Sequence, residues 1–213
     1  ISHELRTPLT LIISPIEKYF LKNASIPKEQ VGRLQSIHQN AQKLLRLINQ
    51  LLDLSKIEAG KQHPVIAKHD MISQLVHILQ GFESYAQQKQ IKLKYEFPVD
   101  SLWVYYDSDI LEKCLSNLLS NAFKHTPEDG KIGVELELEQ VFVGSESHVR
   151  QVTLRVLDTG RGISEAHLPH VFDRFYQIPD AVQVVGTGVG LSLCKELIQL
   201  HRGDIQVKSK LGE

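Results

Sequence analysis

Apolar residues early in the chain fall at Leu5, Leu9, Ile12, Ile16 and Phe20, steps of three or four that lay one stripe along a helix. The segment "KNASIPKEQ" breaks that stripe, and Pro27 with its small polar neighbours suits a turn and a new helix start. The spacing resumes at Leu34, Ile37, Ala41, Leu44, Ile48, Leu51 and Ser55 and runs to "SKIEAGK", where Gly60 is placed to stop the helix. Two helices joined by a short turn make an antiparallel hairpin. The second runs about 30 residues against about 20 for the first, as expected if the first helix continued upstream of Ile1 and was cut. Two helices cannot bury both stripes well. A second copy of the chain is therefore expected to complete a four-helix bundle, in preference to packing of the hairpin on the rest of its own chain.

Beyond residue 60 the period changes. A polar stretch, "KQHPVIAKH", reads as a linker over 61–67, and "DMISQLVHILQGFESYAQQKQ" as an amphipathic helix. "IKLKYEF" and "LWVYY" read as strands, "DSDILEKCLSNLLSNAFKHT" as a helix, and "KIGVELELEQVFV" and "VRQVTLRVLD" as paired strands around a "GSES" tip. "VGLSLCKELIQLH" reads as a further helix and "GDIQVKSK" as a closing strand. The fold class is α+β: a helical hairpin over 1–60, then a two-layer α/β sandwich with a mixed sheet over 68–213.

Charge adds mainly exclusions. Lys plus Arg of 24 against Asp plus Glu of 25 gives a net charge of −1, so no chain-wide basic field points to nucleic acid or to an anionic membrane. No run approaches the roughly 18 apolar residues that a membrane span requires. Cys114 and Cys194 lie in apolar-periodic segments without a C-x-x-C pair, which reads as buried free thiols in a reducing cytoplasm. A chain that begins at Ile1 reads as an excised piece of a longer protein.

Three places carry chemistry that packing does not demand. On the helix of residues 107–126, Leu111, Leu115, Leu118 and Ala122 form the expected buried stripe, while Asn117, Asn121 and Lys124 line another face. Asparagine is a mediocre helix former. An amide oxygen suits Mg²⁺ and a lysine suits phosphate oxygens, although a solvated polar face would carry the same residues. Second, "LDTGRGI" follows a strand. Its Asp158 can accept from an exocyclic amine, and Gly160 and Gly162 let the backbone approach a flat ring, although Asp-Thr-Gly is also an ordinary turn. Third, "GTGVGL" opens a helix, where side-chain-free amides hold phosphate well. Its G-x-G-x-G spacing fits neither the dinucleotide fingerprint nor the Walker phosphate loop.

In the order asparagine helix, D-x-G-x-G, "FDRFYQ", G-x-G-x-G, the second part resembles the nucleotide-binding domain of sensor histidine kinases, which is related to the Bergerat-type ATPases. "HELRTPLT" resembles the phosphoacceptor box of the same family. The resemblance implies a dimeric helical hairpin followed by an α/β sandwich that binds ATP and Mg²⁺. It makes Asn121 the Mg²⁺ ligand, puts Asn117 and Lys124 near the phosphates, and sets Asp158 against the adenine amine with Gly160 and Gly162 next to it; for His125, which follows Lys124, contact with the nucleotide and no such role both remain open. Gly186, Gly188 and Gly190 then flank the triphosphate, with Thr187 and Leu191 among the binding positions, and residues 173–187, including Arg174, form a lid. For Arg174 a phosphate contact and a solvated charge remain open. For His167 and His170, a surface turn is expected ahead of a metal site.

His3 becomes the nucleophile: an exposed imidazole near pH 7 is mostly neutral, with a free nitrogen lone pair. Glu4 can hold the other ring N–H and stabilise the charge that grows during attack. Thr7 lies one turn on, where the family uses a hydroxyl to position water for dephosphorylating the regulator. Pro8 removes an N–H and loosens the helix just after the reactive residue. The implied reaction moves the γ-phosphoryl of ATP to His3 and onward to an aspartate of a response-regulator receiver. The implied setting is the cytoplasmic part of a membrane-anchored bacterial receptor, working as a homodimer without nucleic-acid or direct membrane contact. Two other classes share parts of the pattern. A Bergerat-type ATPase without phosphotransfer has no use for His3 and Glu4, and a non-catalytic dimeric scaffold has no use for Asn121, Asp158 and the glycine loop. The family pattern continues past "KSKLGE" with another strand, so an open sheet edge is expected.

Overall fold

The computed structural model describes residues 10, 12–14, 16–17, 28–143, 146–178 and 187–212. The chain divides into two compact units, Ile1–Gln62 and His63–Glu213.

In the first unit, the residues described between 10 and 17 are helical, and helix α1 spans Lys28–Glu58. Lys56 in its last turn complements the partial negative charge of the helix end. Gly60 stops it as the sequence predicts. At φ +62° this glycine donates to the Ile57 carbonyl at 2.9 Å, while Lys61 reaches back to the Lys56 carbonyl at 2.9 Å, a Schellman closure. Ile13 packs on Ala41, with Leu45 and Ile48 around them, and His38 Nε2 meets Glu17 Oε1 at 3.2 Å. The partner numbers fall on one strand of the hairpin as they rise on the other, so the two helices run antiparallel. The apolar surface of α1 is wider than this contact uses. Ile37, Leu44 and Leu51, seven residues apart, stay 50%, 48% and 37% exposed.

The second unit contains β1 (Ala67–Asp70), α2 (Met71–Gln88), β2 (Lys92–Glu96), β3 (Trp103–Tyr106), α3 (Ser108–His125), β4 (Lys131–Val143), β5 (Glu146–Asp158), a short 3-10 helix (Leu168–His170) and α4 (Gly190–Leu200). β2 pairs parallel to β4 and β4 antiparallel to β5, a mixed sheet in the order β2-β4-β5, while β1 and β3 pair antiparallel as a separate ribbon. Alternation explains β4: Ile132, Val134 and Leu136 are buried, and Glu135, Glu137 and Glu139 are exposed. Helices α2 and α3 cover the buried face, with Leu75 and Leu79 from α2 and Leu115, Leu119 and Phe123 from α3 fully buried. Each helix has an aspartate cap: the Ile72 N–H donates to Asp70 and the Ile110 N–H to Asp107.

Four details differ from the sequence expectation. The linker ends in a strand, β1, that alternation did not mark. β5 begins at Glu146, three residues ahead of the expected start at Val149. The buried stripe of α3 is Ile110, Cys114, Leu115, Leu119, Ala122 and Phe123, whereas Leu111 and Leu118 are half-buried. The shift follows from α3 packing on α4 as well as on the sheet, with Cys114 and Cys194 at the contact. Residues 204–210 alternate in burial like a strand but carry no ladder; instead Ile163 N–H donates to Ser209 Oγ at 2.9 Å and Gly212 N–H to the Arg161 carbonyl at 2.9 Å.

Phe123 anchors this core, stacked on Phe82 at 5.6 Å and tilted against Tyr85 at 5.3 Å. Phe123→Ala is expected to cost about 3–5 kcal/mol, read as a lower urea midpoint at unchanged slope. A loss below about 1 kcal/mol would mean that the core collapses into the void.

Candidate functional site

The site grows from the ends of α3, β5 and α4. On α3, Asn117, Asn121 and His125 follow at four-residue steps and share a face. Asn121, Lys124 and His125 are half-buried; Asn117 donates from Nδ2 to the Lys113 carbonyl at 3.0 Å and also hydrogen-bonds the Cys194 thiol, at the contact with α4. That pair of thiols is free, as the sequence predicts. Each thiol points at the other's backbone carbonyl, at 3.9 and 3.8 Å, and its bond to Cys114 together with burial pushes the Cys194 thiol far up. Such thiols are chemically inert.

β5 ends at Asp158, whose exposed carboxylate accepts the Gly160 N–H at 2.8 Å and folds the chain into a tight turn. Thr159 ties this turn to the start of β4, accepting the Lys131 N–H on Oγ1 at 2.9 Å and donating its own N–H to the Lys131 carbonyl at 3.0 Å. Gly160 is required by contact: a Cβ there would lie 2.9 Å from the His125 carbonyl oxygen. The same turn brings charge to His125. Burial pushes its imidazole below the ordinary range, the positive charges of Lys124 and Arg161 push the same way, and Asp158 opposes them. The ring therefore faces the site uncharged at neutral pH, as a hydrogen-bonding surface. The sequence reading passed over Arg161 and Thr159, the variable positions of D-x-G-x-G; only the folded turn sets them beside His125 and β4.

The glycine loop meets α4. Gly188 has φ +69°, accepts the Phe175 N–H on its carbonyl at 2.8 Å, and has no room for a side chain, since a Cβ would lie 2.6 Å from the Phe175 carbonyl carbon. Thr187 Oγ1 accepts the Val189 N–H at 3.4 Å. Helix α4 starts at Gly190, with Leu191 half-buried in its first turn, and no side chain caps it. Uncapped N–H groups at a helix start are anion donors. The "FDRFYQ" segment is fastened to the glycine loop by the Phe175–Gly188 bond, and to α4 by Arg174 Nη2 to Glu196 Oε1 at 3.4 Å and by Lys195 over the Phe172 ring at 5.8 Å. His167 Nδ1 meets the Tyr176 hydroxyl at 2.6 Å and His170 Nδ1 meets Asp173 Oδ2 at 2.8 Å. His3, Glu4, Thr7 and Gly186 lie outside the described residues.

The groups of this set suit a flat heterocycle and an anion. A carboxylate at a strand end, glycine backbone that lets a flat ring approach, an uncharged imidazole, and an uncapped glycine-bearing helix start fit a base at one side and phosphates at the other. Among the described residues no group of three or more His, Cys, Asp or Glu side chains converges on a cation position. Among the described residues, too, no helix is long and apolar enough to cross a membrane.

Comparison with known proteins agrees with this geometry. Residues 106–213 match the family described as histidine kinase-, DNA gyrase B-, and HSP90-like ATPase, and residues 1–60 match the His Kinase A (phospho-acceptor) domain. The chain is 37% identical over 215 residues to sensor histidine kinase TmoS of Ectopseudomonas mendocina, covering 100% of this chain and 21% of that protein. It is 34% identical over 215 residues to histidine kinase P4 of Formosa agariphila, covering 99% of this chain and 15% of that protein. Full-length ShkA, crystallised in complex with AMPPNP, shares the fold at TM-score 0.75 and 24% identity, over 100% of this chain and 42% of that one. The chain thus spans about a fifth or less of those two relatives by sequence. With a phospho-acceptor domain ahead of a histidine kinase-type ATPase domain, this chain belongs to the sensor histidine kinases and forms their catalytic core.

Proposed function

We propose that the chain transfers the γ-phosphoryl group of Mg-ATP to His3 and passes it on to an aspartate of a response-regulator receiver. The observation that carries the reading is the meeting of the Asp158–Gly160 turn with His125 at the end of the asparagine helix. Asp158 receives the adenine amine, with Gly160 and Gly162 beside the ring. Asn117, Lys124, Thr187, Gly188, Gly190 and the first turn of α4 face the phosphates, and Asn121 holds Mg²⁺, which neutralises phosphate charge when bound. Residues 173–187, with Arg174 and Gly186 among them, form the lid on the phosphate side. The His3 nitrogen forms the N–P bond as the bond from the γ-phosphorus to the bridging oxygen breaks, and ADP leaves. Alignment and charge neutralisation carry most of the catalysis. Glu4 holds the second ring N–H, and Thr7 positions water when the regulator is dephosphorylated.

Domain limits of 1–60, 61–67 and 68–213 go with this reading, as does a cytoplasmic setting. The homodimer is supported by the unused face of α1: Ile37, Leu44 and Leu51 repeat at heptad spacing, the pattern of a helix facing a further helix. Ile37→Glu combined with Leu44→Glu is expected to give a monomer in sedimentation, because each leucine-sized side chain contributes about 1.5–3 kcal/mol on burial and a carboxylate there adds a desolvation cost. A dimer that survives both changes places the interface elsewhere. The phosphotransfer itself is tested by incubating the chain with γ-labelled ATP and Mg²⁺ and asking whether acid-labile, alkali-stable label becomes protein-bound.

A further inference from the structure

Between β3 and α3 stands Asp107, only 7% exposed, and three segments distant in sequence meet on it. Its Oδ1 accepts the Ile110 N–H at 3.1 Å and caps α3. Its Oδ2 accepts the Val65 N–H at 2.6 Å. Its own N–H donates to His201 Nε2 at 3.0 Å, at the C-terminal end of α4. A helix cap requires one oxygen. The second oxygen reaches into the stretch between α1 and β1, where the side chains of Val65 and Ile66 are 76% and 48% exposed. Little apolar burial holds that stretch ahead of the β1–β3 ladder, which begins at Ala67, so a short, charge-assisted hydrogen bond to the Val65 backbone extends the anchoring by two residues toward α1. The two helices joined at Asp107 are those whose opposite ends carry the nucleotide residues: His125 closes α3, and Gly190 opens α4.

We propose that Asp107 is a positioning residue for phosphoryl transfer. By clasping Val65 it sets the point on the nucleotide-binding unit from which the chain runs to the hairpin, and with it the rate at which bound ATP phosphorylates His3. The inference rests on the autophosphorylation reading above. It predicts an effect on the rate at saturating nucleotide and none on nucleotide affinity, because Asp107 touches the far ends of α3 and α4.

Two substitutions in the whole chain remove the same bond from opposite sides. Asp107→Asn keeps a good helix cap and the backbone bond to His201, but turns an NH₂ toward the Val65 N–H. Val65→Pro deletes the donor at an exposed side chain and leaves Asp107 untouched. Each is expected to slow His3 labelling at saturating ATP about tenfold while holding the KM for ATP within about twofold, and the double variant to be no slower than either single one. In Asp107→Asn, amide hydrogen exchange should quicken at Val65 and stay unchanged at Ile110, which separates loss of the clasp from loss of the cap. If the parent labels His3 and the variants do so at the parental rate, or if their effects add, the positioning role is overturned and the phosphotransfer reading stands. If the parent leaves His3 unlabelled, the phosphotransfer reading is overturned, and the positioning role with it.

Discussion

His3→Gln is expected to abolish the covalent label from γ-labelled ATP, by at least about a thousandfold, because a glutamine amide nitrogen has delocalised its lone pair and offers no nucleophile. Nucleotide binding should survive intact. None of the residues proposed to bind nucleotide on α3, β5 or α4 belongs to the hairpin unit, so ATP at about 100 times its Kd should still stabilise the variant by about 2.7 kcal/mol. That pairing of results matters more than either alone. Lost label with a retained nucleotide-dependent melting shift assigns His3 as the acceptor; lost label with a lost shift points to a misfolded protein. Undiminished label would remove His3 from the reaction, and a chain that turns over ATP without any bound label would be acting as an ATPase.

How much of this was legible in the chain depends on where each signal resides. Helix α1 could be read because its apolar residues keep one period up to Gly60, and β4 because Ile132, Val134 and Leu136 alternate with glutamates. β1 could not. "AKHD" has no alternation of its own and is a strand only because Trp103–Tyr106 supplies the partner. The buried stripe on α3 is wider than its own pattern predicts: Leu115 and Ala122 hold, while Cys114 and Phe123 gain their burial from α4 and α2, which a single-helix pattern does not contain. Asp158, Gly160 and Gly188 were visible as chemistry, because glycine at a turn and a carboxylate at a strand end are local signals. Their reason for being glycine is tertiary. Gly160 yields to the His125 carbonyl and Gly188 to the Phe175 backbone, contacts between segments at least twelve residues apart in sequence. Asp107 is the same case: its cap on α3 is local, whereas the hydrogen bonds to Val65 and His201 appear only in the fold.

Asn121→Asp changes one atom's chemistry and almost no volume, and it should nonetheless disable the site. Asn121 is half-buried on the face of α3 that ends at His125. Were it only a solvated polar residue, the change would stay within about 0.5 kcal/mol, plus a few tenths for a negative charge in the C-terminal half of a helix. If instead it faces the triphosphate, the new carboxylate sits against several phosphate charges. A like-charged pair at 4 Å with an effective dielectric near 20 costs about 4 kcal/mol, close to a thousandfold in an equilibrium or a rate. Magnesium between the two offsets part of this, so labelling is expected to fall by about two to three orders of magnitude. Raising magnesium should recover some of the loss. The melting temperature without nucleotide should move little, and the nucleotide-dependent shift should shrink. Unchanged nucleotide affinity and unchanged labelling in Asn121→Asp would take this face of α3 out of the pocket, leaving the phosphates to the start of α4 alone.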